Sequence, residues 1–266
     1  MAPSFAYHKS PVPYFTSPLL DSYGIPHLFA TRHGGVSTGV FESLNFAAGS
    51  GDERDSFENL FKNHAIAANA IGFGADDIVR TRQGHTDVVE IVGVSHKGIG
   101  LSKPQFDYDV DGLVTRDKGV LLSVRSADCV PVLLYDVKKD IAGAVHSGWL
   151  GTKKQISVKA VELFKSFGSN PEDILVAMGP AIKSCCYQVG EEFYNHFPGH
   201  LSTFSVKNSK IYLELTDIIA KDLINIGIKN ENMDICPLCT CCEDEYFFSH
   251  RRQGPNRGTM AAFIAV

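Results

Sequence analysis

The chain has 266 residues, enough for one large domain or two small ones, and a single core could serve all of it. A net charge of −5 with 21% charged residues leaves no basic footprint, so nucleic acid is not an expected partner. No apolar run approaches the roughly 20 residues of a membrane helix, and the first residues lack a signal peptide's basic start and apolar core, so a cytoplasmic protein with reduced cysteines is expected.

Neither an internal repeat nor a composition break divides the chain, and residues 1–266 read as one domain. Residues 1–30, rich in proline and aromatics, read as an extended arm or edge strand. A strand-like stretch then runs into Arg32-His33-Gly34-Gly35-Val36-Ser37-Thr38-Gly39 and on to Ser43-Leu44-Asn45. Such a loop is either plain surface or, carrying Arg32 and serines among glycines, a cradle for an anion. Residues 55–72 place Phe57, Leu60, Phe61 and Ile66 at helical spacing, with Asp52 or Asp55 as the cap. A strand from Ile78 ends in Gln83-Gly84-His85-Thr86, and an alternating stretch follows over residues 88–92. Asp107, Asp109 and Asp111 alternate before Gly112 like part of a calcium loop, but the twelve-residue pattern ending in Glu is missing, so calcium is not expected.

The rest of the chain is organised around residues 121–151. Leu121-Leu122-Ser123-Val124 and the run from Val130 to Tyr135 read as buried strands; residues 136–140 are a charged turn, and Ile141 to Val145 is the returning strand. If that turn makes the last two strands antiparallel neighbours, Cys129 and His146 meet at one rim of the sheet. There a thiolate and an imidazole can share a metal or a proton.

Residues 153–167 form the next predicted helix, residues 174–178 a strand, and residues 191–197 and 215–226 two further helices. Cys236, Cys239, Cys241 and Cys242 invite a zinc-ribbon reading. A structural zinc takes four tetrahedral ligands, usually as two separated pairs. Four cysteines within seven residues cannot easily surround one ion, and the adjacency of Cys185 and Cys186 is poor geometry for a second pair, so no structural zinc is expected. Arg251 and Arg252 follow an aromatic strand and are candidates for holding an anion. Residues 260–266 close the chain as a strand or helix.

Several motifs, taken together and in order, resemble one family. They are Thr31-Arg32-His33-Gly34-Gly35-Val36-Ser37, Ser43-Leu44-Asn45, Gln83-Gly84-His85, Ala127-Asp128-Cys129-Val130-Pro131, His146-Ser147-Gly148-Trp149, Gly179-Pro180, Cys185-Cys186-Tyr187-Gln188-Val189-Gly190 and Phe247-Phe248-Ser249-His250-Arg251-Arg252-Gln253-Gly254. The chain is similar to the YfiH-like, laccase-domain proteins, a family that includes purine nucleoside phosphorylases of the multicopper polyphenol oxidoreductase type. The resemblance implies an α/β fold, a layered mixed-sheet sandwich with flanking helices like the cytotoxic necrotising factor catalytic domain. It implies one zinc on His85, Cys129 and His146, a set that leaves a fourth position open as catalytic zinc sites do.

The activity implied is phosphorolysis of adenosine, inosine, guanosine and methylthioadenosine, with adenosine deamination beside it. Arg32, Asn45, Arg251 and Arg252 would hold substrate and phosphate. Copper-dependent polyphenol oxidation is an alternative, although the chain has no His-x-His pair. A cysteine hydrolase or amidase acting on peptidoglycan precursors is another, with Cys129 as nucleophile and His146 as base; a non-catalytic interaction protein is the blandest. The chain departs from the family pattern at Thr86, where glycine is usual, at Leu150, where arginine is usual, and at His250, where tyrosine is usual. Oligomeric state has no signature in the sequence.

Overall fold

A computed structural model describes residues 5–266; the first four residues of the predicted arm lie outside it. Two six-stranded sheets face each other. The first runs, in spatial order, through Ala6–His8, Tyr14–Thr16, His27–Ala30, Met260–Ala265, Leu121–Ser126 and Ile78–Arg80. The second runs through Met233–Ile235, Ile174–Met178, Val130–Asp136, Ile141–Ser147, Gly112–Thr115 and Val89–Ile91. Both are mixed: the central pairs are antiparallel, while the Ile78–Arg80, Met233–Ile235 and Val89–Ile91 edge strands pair in parallel. A small third sheet joins Gln188–Val189, Lys210–Leu213 and Phe204–Lys207.

Strand side chains alternate between faces, and here both faces are covered, which is why these strands read as unbroken apolar runs. Leu122, Val124, Ala262 and Ile264 of the first sheet pack between the layers against Leu133, Tyr135, Ala144, Leu175 and Ala177 of the second. The alternate positions Val132, Leu134, Val145 and Val176 turn outward to the helices Ile156–Ser166 and Leu215–Asn225. On the far side, Leu28, Ile78, Leu121 and Phe263 meet Ala67 and Ala68 of helix Phe57–Ala70. The expected α/β layered sandwich with flanking helices is what forms. Among the described residues no helix is long and apolar enough to cross a membrane.

Local expectations differ from the structure in three places. Ser56, not Asp52 or Asp55, caps the Phe57–Ala70 helix, because the Asp55 carboxylate is taken by the Ser37 hydroxyl and the amides of Asn45 and Asn59. The helix predicted over residues 153–167 is two, Trp149–Lys153 and Ile156–Ser166, broken where Gln155 takes φ +56°. Residues 246–248 form a turn rather than a strand, and His250–Gln253 is a single helical turn capped by Ser249. Residues 260–266 resolve to the strand Met260–Ala265, central in the first sheet.

Candidate metal centre and substrate cavity

The charged turn after Asp136 does make an antiparallel pair of Val130–Asp136 and Ile141–Ser147, with Pro131 opposite His146 and Val130 opposite Ser147. Cys129, one residue before the first strand, therefore stands beside the end of the second. The chain reaches it from the other sheet: Leu121–Ser126 ends, Asp128 turns sharply at φ +95°, and Val130–Asp136 begins in the facing layer. Three bonds hold that crossover. The Asp128 carboxylate accepts from the Thr240 hydroxyl at 2.7 Å and from the Arg251 amide at 2.6 Å, and the Asp128 carbonyl accepts from the Ile182 amide at 2.9 Å.

His85 enters from a different segment, the turn after Ile78–Arg80. A single buried carboxylate shapes that turn. Asp111 accepts from the backbone amides of Gly84 at 3.0 Å, His85 at 3.2 Å and Thr86 at 2.7 Å, and from the Thr86 hydroxyl at 2.8 Å. These bonds offset the cost of φ +59° at His85, a conformation unusual outside glycine. The fourth bond gives Thr86, where the family has glycine, a role in the same network. Asp111 also accepts from Nδ1 of His146 at 2.8 Å. One carboxylate thus positions both histidines, and the triplet of aspartates that hinted at calcium supplies a buried anchor instead.

The ligand atoms of His85, Cys129 and His146 all lie within 4.8 Å of one another, with His85 Nε2 3.9 Å from Cys129 Sγ. Bonds of ~2.0–2.3 Å to one ion would span such gaps with small side-chain adjustments. His146 keeps its Nε2 free because Nδ1 is engaged by Asp111, the carboxylate–histidine pairing common behind metal ligands. Gly148 leaves room for the group: a Cβ there would sit 2.8 Å from Cys129 Sγ and 3.1 Å from His85 Cδ2.

Charge follows the same plan. Burial alone would raise the Asp111 carboxyl, but the bonds from His146, Thr86 and Gly84 hold it at about 2. Burial lowers the His146 imidazole against the pull of Asp111, which favours the neutral form that ligates metals. Enclosure, reinforced by the Asp128 carboxylate, pushes the bare Cys129 thiol up to about 12. A thiol there would ionise when a metal takes the proton's place on sulfur and the proton leaves to solvent.

Asp111→Asn keeps the shape and removes the charge. The expected result is a 10–100-fold loss of metal affinity, as for other groups that orient a ligand, measured by chelator competition. Unchanged affinity would remove Asp111 from the site.

The three residues open onto a cavity of about 540 Å³, within the ~300–1,000 Å³ of small-molecule sites. Tyr187 and Trp149 give it aromatic walls, and Arg125, Arg251 and Arg257 give it positive charge. Of the four residues expected to hold substrate or phosphate, only Arg251 lines this space; its guanidinium lies over Tyr187 at 5.3 Å and donates to the carbonyls of Cys186 and Gln188. Arg252 is spent on the carbonyls of Thr240, Cys241 and Phe247. Arg32 donates to the Glu42 carbonyl and rests 4.6 Å over Phe248. Asn45 is fully buried, tying Ala47, Asp55 and Thr259 together. These three build loops, because donors beside buried carbonyls are consumed by the fold before a ligand arrives.

Sequence reasoning missed Arg125 and Arg257. Arg125 donates from Nε to Gln83 at 3.3 Å, and burial, with Arg80 nearby, brings its guanidinium down to about 9. Arg257 bonds to the Gly258 carbonyl and the Thr259 hydroxyl, and its buried Nε has no partner. The available signal was Arg125 itself, the one charged residue in the strand Leu121–Ser126 that ends at the Ala127-Asp128-Cys129 motif. His250 also lines the cavity, whereas Leu150 does not.

Comparison with known proteins agrees with this architecture. The structure of YlmD from Geobacillus stearothermophilus superposes with a TM-score of 0.88 at 31% identity, covering 97% of this chain and 98% of that one. The YfiH structure from Bacillus licheniformis gives 0.87 at 30% identity, covering 98% of each. The purine nucleoside phosphorylase of Bacteroides thetaiotaomicron is 30% identical over 256 residues, 93% of this chain and 94% of that protein. The mouse purine nucleoside phosphorylase LACC1 is 33% identical over 272 residues, 97% of this chain but only 59% of its own length. A family model described as multi-copper polyphenol oxidoreductase laccase matches residues 26–266, and with it the chain belongs to that laccase-domain family.

Proposed function

We propose that this chain is a zinc-dependent purine nucleoside phosphorylase, with His85, Cys129 and His146 as metal ligands and adenosine deamination as a second reaction in the same cavity. The observation that carries the proposal is the meeting of two imidazoles and one thiol at a cavity whose remaining walls are aromatic and cationic. The names of relatives at 30–33% identity support the substrate class. Adenosine, inosine, guanosine and methylthioadenosine are the expected nucleosides.

His85, Cys129 and His146 would hold the zinc, which when bound would supply a Lewis acid able to polarise a substrate group and to lower the pKa of a water towards ~7. The chain's own residues supply the rest. Tyr187 and Trp149 line the cavity with aromatic side chains against which the purine packs. Arg125 and Arg257, both on the cavity wall and the second with its buried Nε unpartnered, hold phosphate so that one oxygen faces the anomeric carbon. As the glycosidic bond breaks, positive charge grows on the sugar, and the arginine-held phosphate is the anion placed to meet it.

One rival has a specific observation in its favour. Cys129, His146 and Asp111 stand in the order of a nucleophile, a base and its orienting carboxylate, which suits a cysteine hydrolase. Against it, His85 approaches the same sulfur, and the bare thiol is held protonated. The copper oxidase reading needs several histidine-rich centres, and among the described residues one three-ligand cluster contains histidine.

Purified zinc-loaded protein, given inosine or adenosine with and without phosphate, tests the proposal. Phosphate-dependent release of free base and ribose 1-phosphate is expected. Release of no base from either nucleoside would discard it and turn attention to phenol oxidation with copper and to cell-wall precursors.

A further inference from the structure

A second group of thiols lies outside the site just described. Cys185, Cys186, Cys239 and Cys242 place their sulfurs within 4.8 Å of one another. Cys242 Sγ is 3.5 Å from Cys185 Sγ and 3.4 Å from Cys186 Sγ, and all four are free thiols. Four sulfurs at ~2.3 Å from a tetrahedral zinc stand roughly 3.8 Å apart, close to this spacing. We propose that these four cysteines form a tetrathiolate site for a soft-tolerant divalent cation, zinc above all, that clamps two loops together beside the substrate cavity.

The sequence argued against this because adjacent cysteines were expected to point apart. In an extended strand they would, since successive side chains alternate by a half turn. Residues 183–187 instead form a tight turn, with the amides of Cys186 and Tyr187 both returning to the Lys183 carbonyl, so both sulfurs can face one point. The other pair comes from a second tight turn, closed by the Cys242 amide on the Cys239 carbonyl at 3.1 Å. An isolated bridge between Ala181 and Cys239 sets the two turns side by side, and the Lys183 amide donates to Cys239 Sγ at 3.5 Å, as backbone amides do around metal thiolates. The remaining pair is excluded on position: Cys236 is buried in the core between the sheets and Cys241 is not among the converging sulfurs.

The clamp would act on the cavity through its neighbours. Tyr187 follows Cys186 directly and lines the cavity. Thr240, between the two ligands of the second turn, donates to Asp128, which shapes the approach to Cys129. Arg251 and Arg252 donate to the carbonyls of Cys186 and Cys241. Binding exchanges the thiol protons for the ion, and with Cys185 and Cys242 exposed it also shields thiols otherwise open to oxidation.

Elemental analysis of protein purified under reducing conditions separates this site from the first. The expected zinc content is two per chain in the wild type and one in His85→Ala. Cys239→Ser with Cys242→Ser should also hold one, the other of the two. Thiol alkylation of the folded His85→Ala protein serves if the serine variant does not fold: chelator should release four protected cysteines. Zinc absent from His85→Ala, or four cysteines alkylated equally fast with and without chelator, would overturn the proposal. One zinc in both the wild type and His85→Ala would support the thiolate clamp while removing metal from the catalytic reading.

Discussion

Alanine at His85 and alanine at Cys129 are expected to cost the same: a fall in phosphorolysis on the order of 10³-fold, with loss of the metal shared by the two residues. Each change leaves two ligands where three converged, and the polarising charge lost is worth several kcal/mol, each 1.36 kcal/mol being tenfold in rate. Neither should unfold the protein, because His85 is exposed and Cys129 is a small side chain at the cavity wall rather than in the packed layers. Thermal melts, zinc content and steady-state rates on inosine are the measurements. The comparison between the two variants matters as much as either alone. In a cysteine hydrolase the thiol is indispensable and His85 is a neighbour, so Cys129→Ala would be inactive and His85→Ala only impaired. Equal losses, in step with the metal, belong to a shared ion. Full phosphorolysis in either variant would detach the metal from the chemistry.

The hairpin that brings Cys129 to His146 was legible because a buried strand, a charged turn and a second buried strand allow one short connection, and its register follows from the turn length. The two-layer sandwich was less so. Leu121–Ser126 and Val130–Asp136 read as two consecutive strands with nothing to assign them to different layers, yet they belong to facing sheets, and only the turn at Asp128 separates them. Asp111 went without a role for a related reason. Its role depends on turns at residues 84–86 and a strand end at 146, none of them near it in the chain, while its local neighbours Asp107 and Asp109 suggested a pattern. The arginines show what motif reading misses. Arg251 and Arg252 are adjacent and look equivalent, but on a helical turn they point ~100° apart: both bond loop carbonyls, yet only Arg251 does so along the cavity wall.

That difference yields the second large effect. Arg257→Met is expected to raise the KM for phosphate by about 10–100-fold, the worth of one hydrogen bond from a charged donor at ~1.5–3 kcal/mol. Arg125→Met should do the same, and the nucleoside KM should hold in both, since the purine is assigned to the aromatic wall formed by Tyr187 and Trp149. The two changes should not be additive, because both cations face one anion and the first loss weakens what the second can lose. Arg252→Met provides the contrast. Its guanidinium satisfies three backbone carbonyls, so its removal orphans acceptors and should lower the melting temperature by several degrees, with phosphate KM little changed in the protein that remains folded. The reverse pattern would return phosphate to the glycine-rich loop and the paired arginines: KM indifferent to Arg257 and Arg125 but responsive to Arg32 or Arg252. In that case the buried Nε of Arg257 would need another partner, and the cavity's positive wall another ligand.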